Sequence, residues 1–329
     1  MAVYTEIDDD QLAALLSRYD LGPVLSCKGI AEGVENSNYL LVTGTGSFIL
    51  TLYERRVNRH DLPYFIGLME HLAGKGLPCP TPIADRDGSM LNEVAGRPCA
   101  IISFINGVWP KRPTARHCQE LGSAMARMHL AGRDFMRQRP NALSVEGWRG
   151  LLGSCLADAD SVRPGLAAEL QQEYDHLKSN WPAAPGRAGD TPLPHGVIHA
   201  DLFPDNVFFI GEALSGLIDF YFACNDYFAY DLAIVLNAWC FEVDGAFNVT
   251  KGRALVAGYE SIRPLTGAEV SALPLFARGA ALRFLLTRLY DWVNQVPGAL
   301  VRPKDPLEYR QKLKFHRQVQ GAAAYGIER

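Results

Sequence analysis

The sequence predicts an α+β protein of two lobes: a small β-rich amino-terminal lobe built on an antiparallel sheet, then a larger, mostly helical lobe. Three observations carry this. The chain has 329 residues, beyond the size at which a single hydrophobic core stops growing. Up to Ile105 the apolar residues come in short runs cut by glycine and proline turns, as strands and hairpins require. From Ala115 onward they recur at the three- and four-residue spacing of helices. The expected division is 1–105 and 106–329, with the Pro- and Gly-rich Asn106–Pro113 segment as the crossing.

Asp8-Asp9-Asp10 loads acid onto the start of a short helix whose Leu12, Leu15, Leu16 and Tyr19 share a face. The glycine-bearing segment Gly29–Asn38 precedes two apolar runs, Tyr39–Val42 and Phe48–Tyr53, which Gly44-Thr45-Gly46 joins into a hairpin. A helix over Leu62–Leu72 ends at Gly74-Lys75-Gly76 and the prolines at 78, 80 and 82. Asp87-Gly88 is expected to turn a second hairpin leading into the strand Pro98–Ile105. Helical periodicity then marks Ala115–Leu130, Glu146–Asp160, Leu166–Trp181, Tyr227–Cys240, Gly252–Ile262, Thr266–Val293 and Pro306–Gln320. No internal repeat interrupts this order.

Composition excludes several classes. Hydrophobic residues make up 48% and charged residues 21%, an ordinary globular balance. A net charge of −4, with no basic run interleaved with aromatics, argues against a nucleic-acid surface. Seven scattered cysteines without a C-x-x-C pair suggest free thiols rather than a disulfide frame or zinc site. The amino terminus has neither the basic start nor the apolar core of a signal peptide. Gly279–Val293 is broken by Arg283, Arg288 and Asp291, so no membrane span is expected, and the chain reads as cytoplasmic. Nothing points to an obligate protein partner.

The chemistry sits in His199-Ala200-Asp201-Leu202-Phe203-Pro204-Asp205-Asn206, followed by Leu217-Ile218-Asp219-Phe220. This is the H-x-D-x-x-x-x-N arrangement that kinases use, with a second carboxylate in an apolar run. A hydroxyl attacking the γ-phosphorus of ATP must be oriented and lose a proton, which Asp201 would take. Mg²⁺ is a hard ion that accepts one or two protein oxygens and completes its shell with phosphates and water; Asn206 and Asp219 would supply them. A hairpin of Val207–Ile210, a Gly211-Glu212 turn and Leu214–Ile218 would join the two. Asp219, set between Leu-Ser-Gly-Leu-Ile and Phe-Tyr-Phe-Ala, is expected to be buried, and hence paired or metal-bound.

Upstream, Gly29 and Gly33 with Ser37 and Asn38 would lay backbone N–H groups over phosphates. Ser103, Phe104 and Ile105 would present main-chain groups to adenine. Ala200 stands where protein kinases carry an arginine that reads a phosphorylated loop, and no glycine follows Phe220. The chain therefore lacks the parts for activation-loop control and points to a small-molecule kinase that is always on.

The segments at 199–206 and 217–220, the Leu121-Gly122…Met128-His129 helix and the Tyr230-Asp231-Leu232-Ala233 helix start resemble the aminoglycoside phosphotransferase/choline kinase superfamily over nearly the whole chain. Phe48–Glu54, Leu68–Leu72 with Gly76–Pro80, and Asp219–Ala223 look most like its bacterial homoserine kinase group. The resemblance implies a protein-kinase-like fold and ATP-dependent phosphorylation of L-homoserine. The superfamily's phosphate-binding lysine falls on Thr51, with Glu70 as the apparent helix partner, and Arg55 and Arg56 read as a solvated strand end. A zwitterionic acceptor needs a cation and an anion, for which Arg283, Arg288 and Asp205 are the candidates. At most one of the two arginines should face the cleft, and Arg288 has Asp291 as an alternative partner at i,i+3. Two other readings stay open: a choline or ethanolamine kinase with a cage of Trp239, Phe241, Tyr290 and Trp292, and a nucleotide-binding pseudokinase.

Overall fold

The strands expected before residue 105 form one antiparallel sheet. The computed structural model describes residues 4–30, 36–54, 57–183, 185, 193–295 and 303–328; Gly33, Arg55 and Arg56 lie outside the described residues. By contact the chain forms two units, Met1–Gly107 with Ser215–Ile218, and Val108–Leu214 with Asp219–Arg329.

In the first unit, α1 (Asp9–Leu16) starts on a reciprocal cap: the Asp8 carboxylate accepts from the Gln11 N–H at 2.7 Å and the Gln11 side chain accepts from the Asp8 N–H at 3.2 Å. Strands β1 (Val24–Gly29), β2 (Asn36–Thr43), β3 (Gly46–Tyr53), β4 (Asn92–Val94) and β5 (Arg97–Ser103) lie in the order β1-β2-β3-β5-β4. Leu41, Leu50, Leu52, Cys99 and Ile101 pack with Leu15 of α1 and Tyr19 of the turn after it. Burying each of those leucines contributes roughly 1.5–3 kcal/mol. Helix α2 (Leu62–Gly74) follows the sheet's central hairpin.

The second hairpin is not turned at Asp87-Gly88. That pair makes a local turn held by the Asp85 carboxylate, which accepts from the N–H groups of Asp87 and Ser89 at 3.1 and 2.8 Å. The hairpin between β4 and β5 turns at Ala95-Gly96, with φ +50° and +69°. Ala95 therefore takes a backbone conformation that side chains rarely adopt.

The second unit holds α3 (Ala115–Ala131), α4 (Val145–Val162), α5 (Leu166–Asn180), α6 (Phe228–Trp239), α7 (Val249–Glu260), α8 (Gly267–Val293) and α9 (Pro306–Gln318). These match the expected helices to within a few residues. The unforeseen strands β6 (His195–Ile198) and β9 (Cys224–Tyr227) pair antiparallel. Between them β7 (Val207–Ile210) and β8 (Ala213–Leu217) form the expected two-stranded hairpin, with Gly211 at φ +63° in its turn.

Two packing features position the site. Helices α3 and α7 cross on bare glycine: a Cβ on Gly122 would sit 2.0 Å from the Leu255 carbonyl oxygen, and one on Gly258 would sit 2.0 Å from that of Gln119. Helices α5, α8 and α9 are tied by ions. Glu173 binds Arg278 and Arg317, and Glu169 accepts from Arg310 and Arg317 at 2.7 and 2.8 Å.

Helix α8 is long and apolar enough to cross a membrane by length and composition, but most of that stretch is buried in the fold, as in a core helix. The seven cysteines are free thiols, all buried except Cys27, which is half-buried.

Candidate active site

The site grows from one sharp bend between β6 and β7. Ala200 has φ +64°, a conformation that costs a non-glycine residue about 1–3 kcal/mol and persists only where surrounding contacts enforce it. The enforcing group is Asp231, fully buried near the start of α6. Its Oδ1 accepts from the Ala200 N–H at 2.8 Å and its Oδ2 from the His199 N–H at 3.0 Å. Asp201 projects from the backbone so fixed. Asn206, at the end of the 3₁₀ turn Pro204–Asn206, donates from Nδ2 to the Asp201 carbonyl at 2.8 Å and to its carboxylate at 3.2 Å. Base and amide are thereby one hydrogen-bonded unit.

Asp231 is itself held from behind. His129 Nε2 lies 2.9 Å from its Oδ2, and His129 Nδ1 lies 2.7 Å from the Tyr259 hydroxyl. Arg263 donates to that hydroxyl at 3.1 Å and pairs with Glu269 at 2.9 Å. Burial pushes the pKa of His129 down by more than the Asp231 bond raises it, so the ring is neutral. The geometry then assigns the proton to Nε2, with Nδ1 accepting from Tyr259. Burial alone would raise the Asp231 pKa, but the bonds from His129 and the His199 N–H outweigh it and hold the carboxyl below its ordinary value. The close crossing of α3 and α7 is what sets His129 against Tyr259.

Asp219 overturns the expectation of burial. It is exposed, at φ +65° and ψ +61°, heading the 3₁₀ turn Phe220–Phe222. The left-handed bend turns the carboxylate out of the apolar run, while Phe220 turns in and packs on His199 at 4.6 Å between ring centroids. That ring contact brings the Asp219 turn against the Asp201 loop.

Among the described residues no cluster of three or more His, Cys, Asp or Glu side chains could hold a metal. The donors offered by Asn206 and Asp219 are hard oxygens, one neutral and one charged. They suit a hard divalent ion that takes its other ligands from phosphates and water.

The other expected residues are distributed as follows. Arg283 is buried and donates to the Ala200 carbonyl. Arg288 pairs with Glu308 at 2.6 Å, the partner it takes from α9 in place of the expected Asp291. Asp205 is exposed, 3.6 Å from the Lys304 ammonium. The aromatic cage does not assemble: Trp239 is buried and donates to the Leu202 carbonyl, and Phe241 packs on Phe247 and Phe315. Tyr290 and Trp292 stand exposed on α8.

In the first unit, Gly29 ends β1 opposite Tyr39. The buried Ser37 hydroxyl accepts from the N–H groups of Tyr4 and Thr5 and donates to Glu54 at 2.7 Å. Asn38 accepts from Thr51 at 2.8 Å, so the residue in the lysine position is spent inside the sheet, and Glu70 is exposed on α2. The Ser103 N–H is bonded to the Thr81 carbonyl at 2.9 Å and is not free for adenine. Phe104 is exposed, and Ile105 packs where a Cβ on Gly216 would fall.

The sequence matches the model of a family described as "Phosphotransferase enzyme family" over residues 26–265. A curated "Homoserine kinase" of Rhodospirillum rubrum is 60% identical over 329 residues, covering 100% of both chains. One from Xanthobacter autotrophicus is 61% identical over 327 residues, 99% of each. Among solved structures, amicoumacin kinase in complex with AMP-PNP, Ca²⁺ and Ami superposes with a TM-score of 0.72 at 15% identity, over 96% of this chain and 95% of that one. Choline kinase from Cryptosporidium parvum does so with a TM-score of 0.69 at 14% identity, over 94% and 95%. At that identity the structural likeness shows the fold alone.

Proposed function

The chain belongs to the phosphotransferase enzyme family, and from that premise we propose that it transfers the γ-phosphoryl group of ATP to the hydroxyl of L-homoserine. The products are O-phospho-L-homoserine and ADP, on the route to threonine in the cytoplasm. The observation that carries this reading is full-length identity of about 60% to curated homoserine kinases, in a chain that has Asp201, Asn206 and Asp219 at its candidate site.

Asp201 orients the acceptor hydroxyl and takes its proton, and the Asn206 amide fixes the carboxylate for that task. The Asn206 and Asp219 oxygens would hold Mg²⁺, which would supply charge stabilisation on the phosphates. Gly29, Gly33 and the main chain of Phe104 and Ile105 contribute backbone to the nucleotide, whereas the Ser103 N–H and the Asn38 carbonyl are taken by Thr81 and Ile30. Ser37 contributes by shaping β2 rather than through its hydroxyl. Of the two candidate arginines, Arg288 is assigned to an acceptor carboxylate, because Arg283 is fully buried and bonded to the Ala200 carbonyl, while Arg288 is partly exposed and would exchange its Glu308 partner.

The test is an ADP-release assay over an acceptor panel. L-homoserine should be turned over, and analogues lacking the α-ammonium or the α-carboxylate should be rejected far more strongly than analogues altered by a methylene. A site built to pair charges is left with unsatisfied groups when the partner is missing, whereas a methylene in an apolar pocket is worth only about 1–3 kcal/mol. Equal or better turnover of choline would sink the reading.

A further inference from the structure

Arg283 is a buried cation that no carboxylate among the described residues meets. It lies on α8 at 2% exposure, and among the described residues it forms no ion pair. Its Nη1 donates to the Ala200 carbonyl, and among the described residues its Nε has no hydrogen-bond partner. The guanidinium carbon stands 4.3 Å from the centre of the Phe284 ring and 5.7 Å from that of Phe222.

These neighbours define its place. Ala200 immediately precedes Asp201 and is held at its N–H by Asp231, so Arg283 and Asp231 grip the same left-handed residue from its two ends. Phe222 closes the turn that Asp219 opens. One guanidinium therefore touches the backbone before the base and the ring after the second carboxylate.

Removing a full charge from water without an ionic partner is expensive, and so is a left-handed alanine. Both costs fall at one point, beside the two loops that carry the chemistry. A plain core position would be filled by an apolar side chain.

We propose that Arg283 is a positioning residue: it sets the Asp201 loop against the Asp219 turn through the Ala200 carbonyl and the Phe222 ring, without touching the acceptor. The inference rests on the roles given above to Asp201 and Asp219. Arginine suits this task because its planar fork donates in fixed directions while its face stacks on aromatic rings. A lysine would keep the charge and lose both.

Steady-state kinetics on the full chain, with acceptor and Mg·ATP varied separately, test it. Arg283→Ala should lower kcat by about 100-fold, the scale that misplacing a reacting group by an ångström produces, with both KM values within about threefold. Arg283→Lys should stay impaired despite its charge. Added guanidinium should restore kcat of Arg283→Ala at least about tenfold and leave wild type and Arg283→Lys unchanged.

A KM for the acceptor raised more than about tenfold at preserved kcat would overturn the proposal and make Arg283 an acceptor ligand. Activity that merely tracks the folded fraction, without guanidinium rescue, would overturn it in favour of plain packing. If Arg283→Ala does not fold, Arg283→Lys and Phe222→Leu form a double-mutant cycle. Their losses in kcat should combine to less than their product, and fully additive losses would refute the coupling. The comparison uses whichever acceptor the wild type turns over, so failure of L-homoserine as substrate would be seen in wild type and leave this result readable.

Discussion

Adding one methyl group where α3 meets α7 should damage an active site that the methyl never touches. In Gly122→Ala the new Cβ would lie 2.0 Å from the Leu255 carbonyl oxygen, whereas real Cβ contacts essentially never fall under 3.0 Å, so the helices must part by at least the difference, about 1.0 Å. Carried to the far end of the crossing, that opening takes the 2.7 Å bond between His129 and Tyr259 to about 3.7 Å, beyond hydrogen-bond range. Two buried polar groups are then left short of a partner. Overpacking costs roughly 1–3 kcal/mol and the orphaned pair roughly 1–3 kcal/mol, so about 4 kcal/mol in total is expected. For a unit of this size that corresponds to a fall in Tm of roughly 8–16 °C. Calorimetry or thermal circular dichroism on wild type, Gly122→Ala and Tyr259→Phe would measure it. The Tyr259→Phe change should account for part of the loss and add little to Gly122→Ala. A Gly122→Ala protein within about 0.5 kcal/mol of wild type, a change typical of neutral surface sites, would refute the reasoning from the crossing.

Asp201→Asn should cut turnover by roughly 100-fold or more while ATP binding survives, and a loss under about tenfold would remove Asp201 from the role of base. Asp219→Ala should abolish activity and also weaken Mg²⁺-dependent nucleotide binding, because it removes a full charge; undiminished Mg·ATP affinity by calorimetric titration would contradict the assignment. Asp226, buried in β9 with Asn141 donating at 2.7 Å, has its pKa raised by burial from 3.8 to about 6. A carboxyl whose folded pKa lies above its unfolded value supports the fold below pH 3.8 and withdraws that support as pH rises through about 6. Asp226→Asn should therefore raise stability at pH 8 by up to about 3 kcal/mol and do nothing near pH 4. Urea midpoints shifted equally at both pH values would refute it.

The helices of the second unit were legible because apolar spacing over a dozen or more residues admits few alternatives. The four-residue strands β6 and β9 were not: a run that short shows no period, and β9 merges with the apolar start of α6. The second hairpin was misplaced because Asp-Gly is the strongest local turn signal, while Ala95 enters a left-handed turn that nothing local announces. The expectation of burial for a carboxylate in an apolar run fell on Asp219, which is exposed. Asp219 leaves its run through a left-handed bend. Asp231, fully buried in the largely apolar helix Phe228–Trp239, is the paired carboxylate that the expectation describes. Its partners, His129 and the backbone of His199 and Ala200, lie 31 to 102 residues away in sequence, a distance no local pattern spans.

The free thiols give the chain a gauge of its own breathing. Alkylating reagents attack thiolate, and burial pushes Cys79 and Cys99 up to about 12 and Cys155 up to about 11. In the closed protein these sulfurs are hidden and almost wholly protonated, so labelling must wait for a local opening. Cys79 and Cys99 sit in the first unit, and Cys118, Cys155, Cys224 and Cys240 in the second. The order in which they are labelled under mild denaturant ranks the loosening of the sheet against that of the helices, with no probe engineered into either.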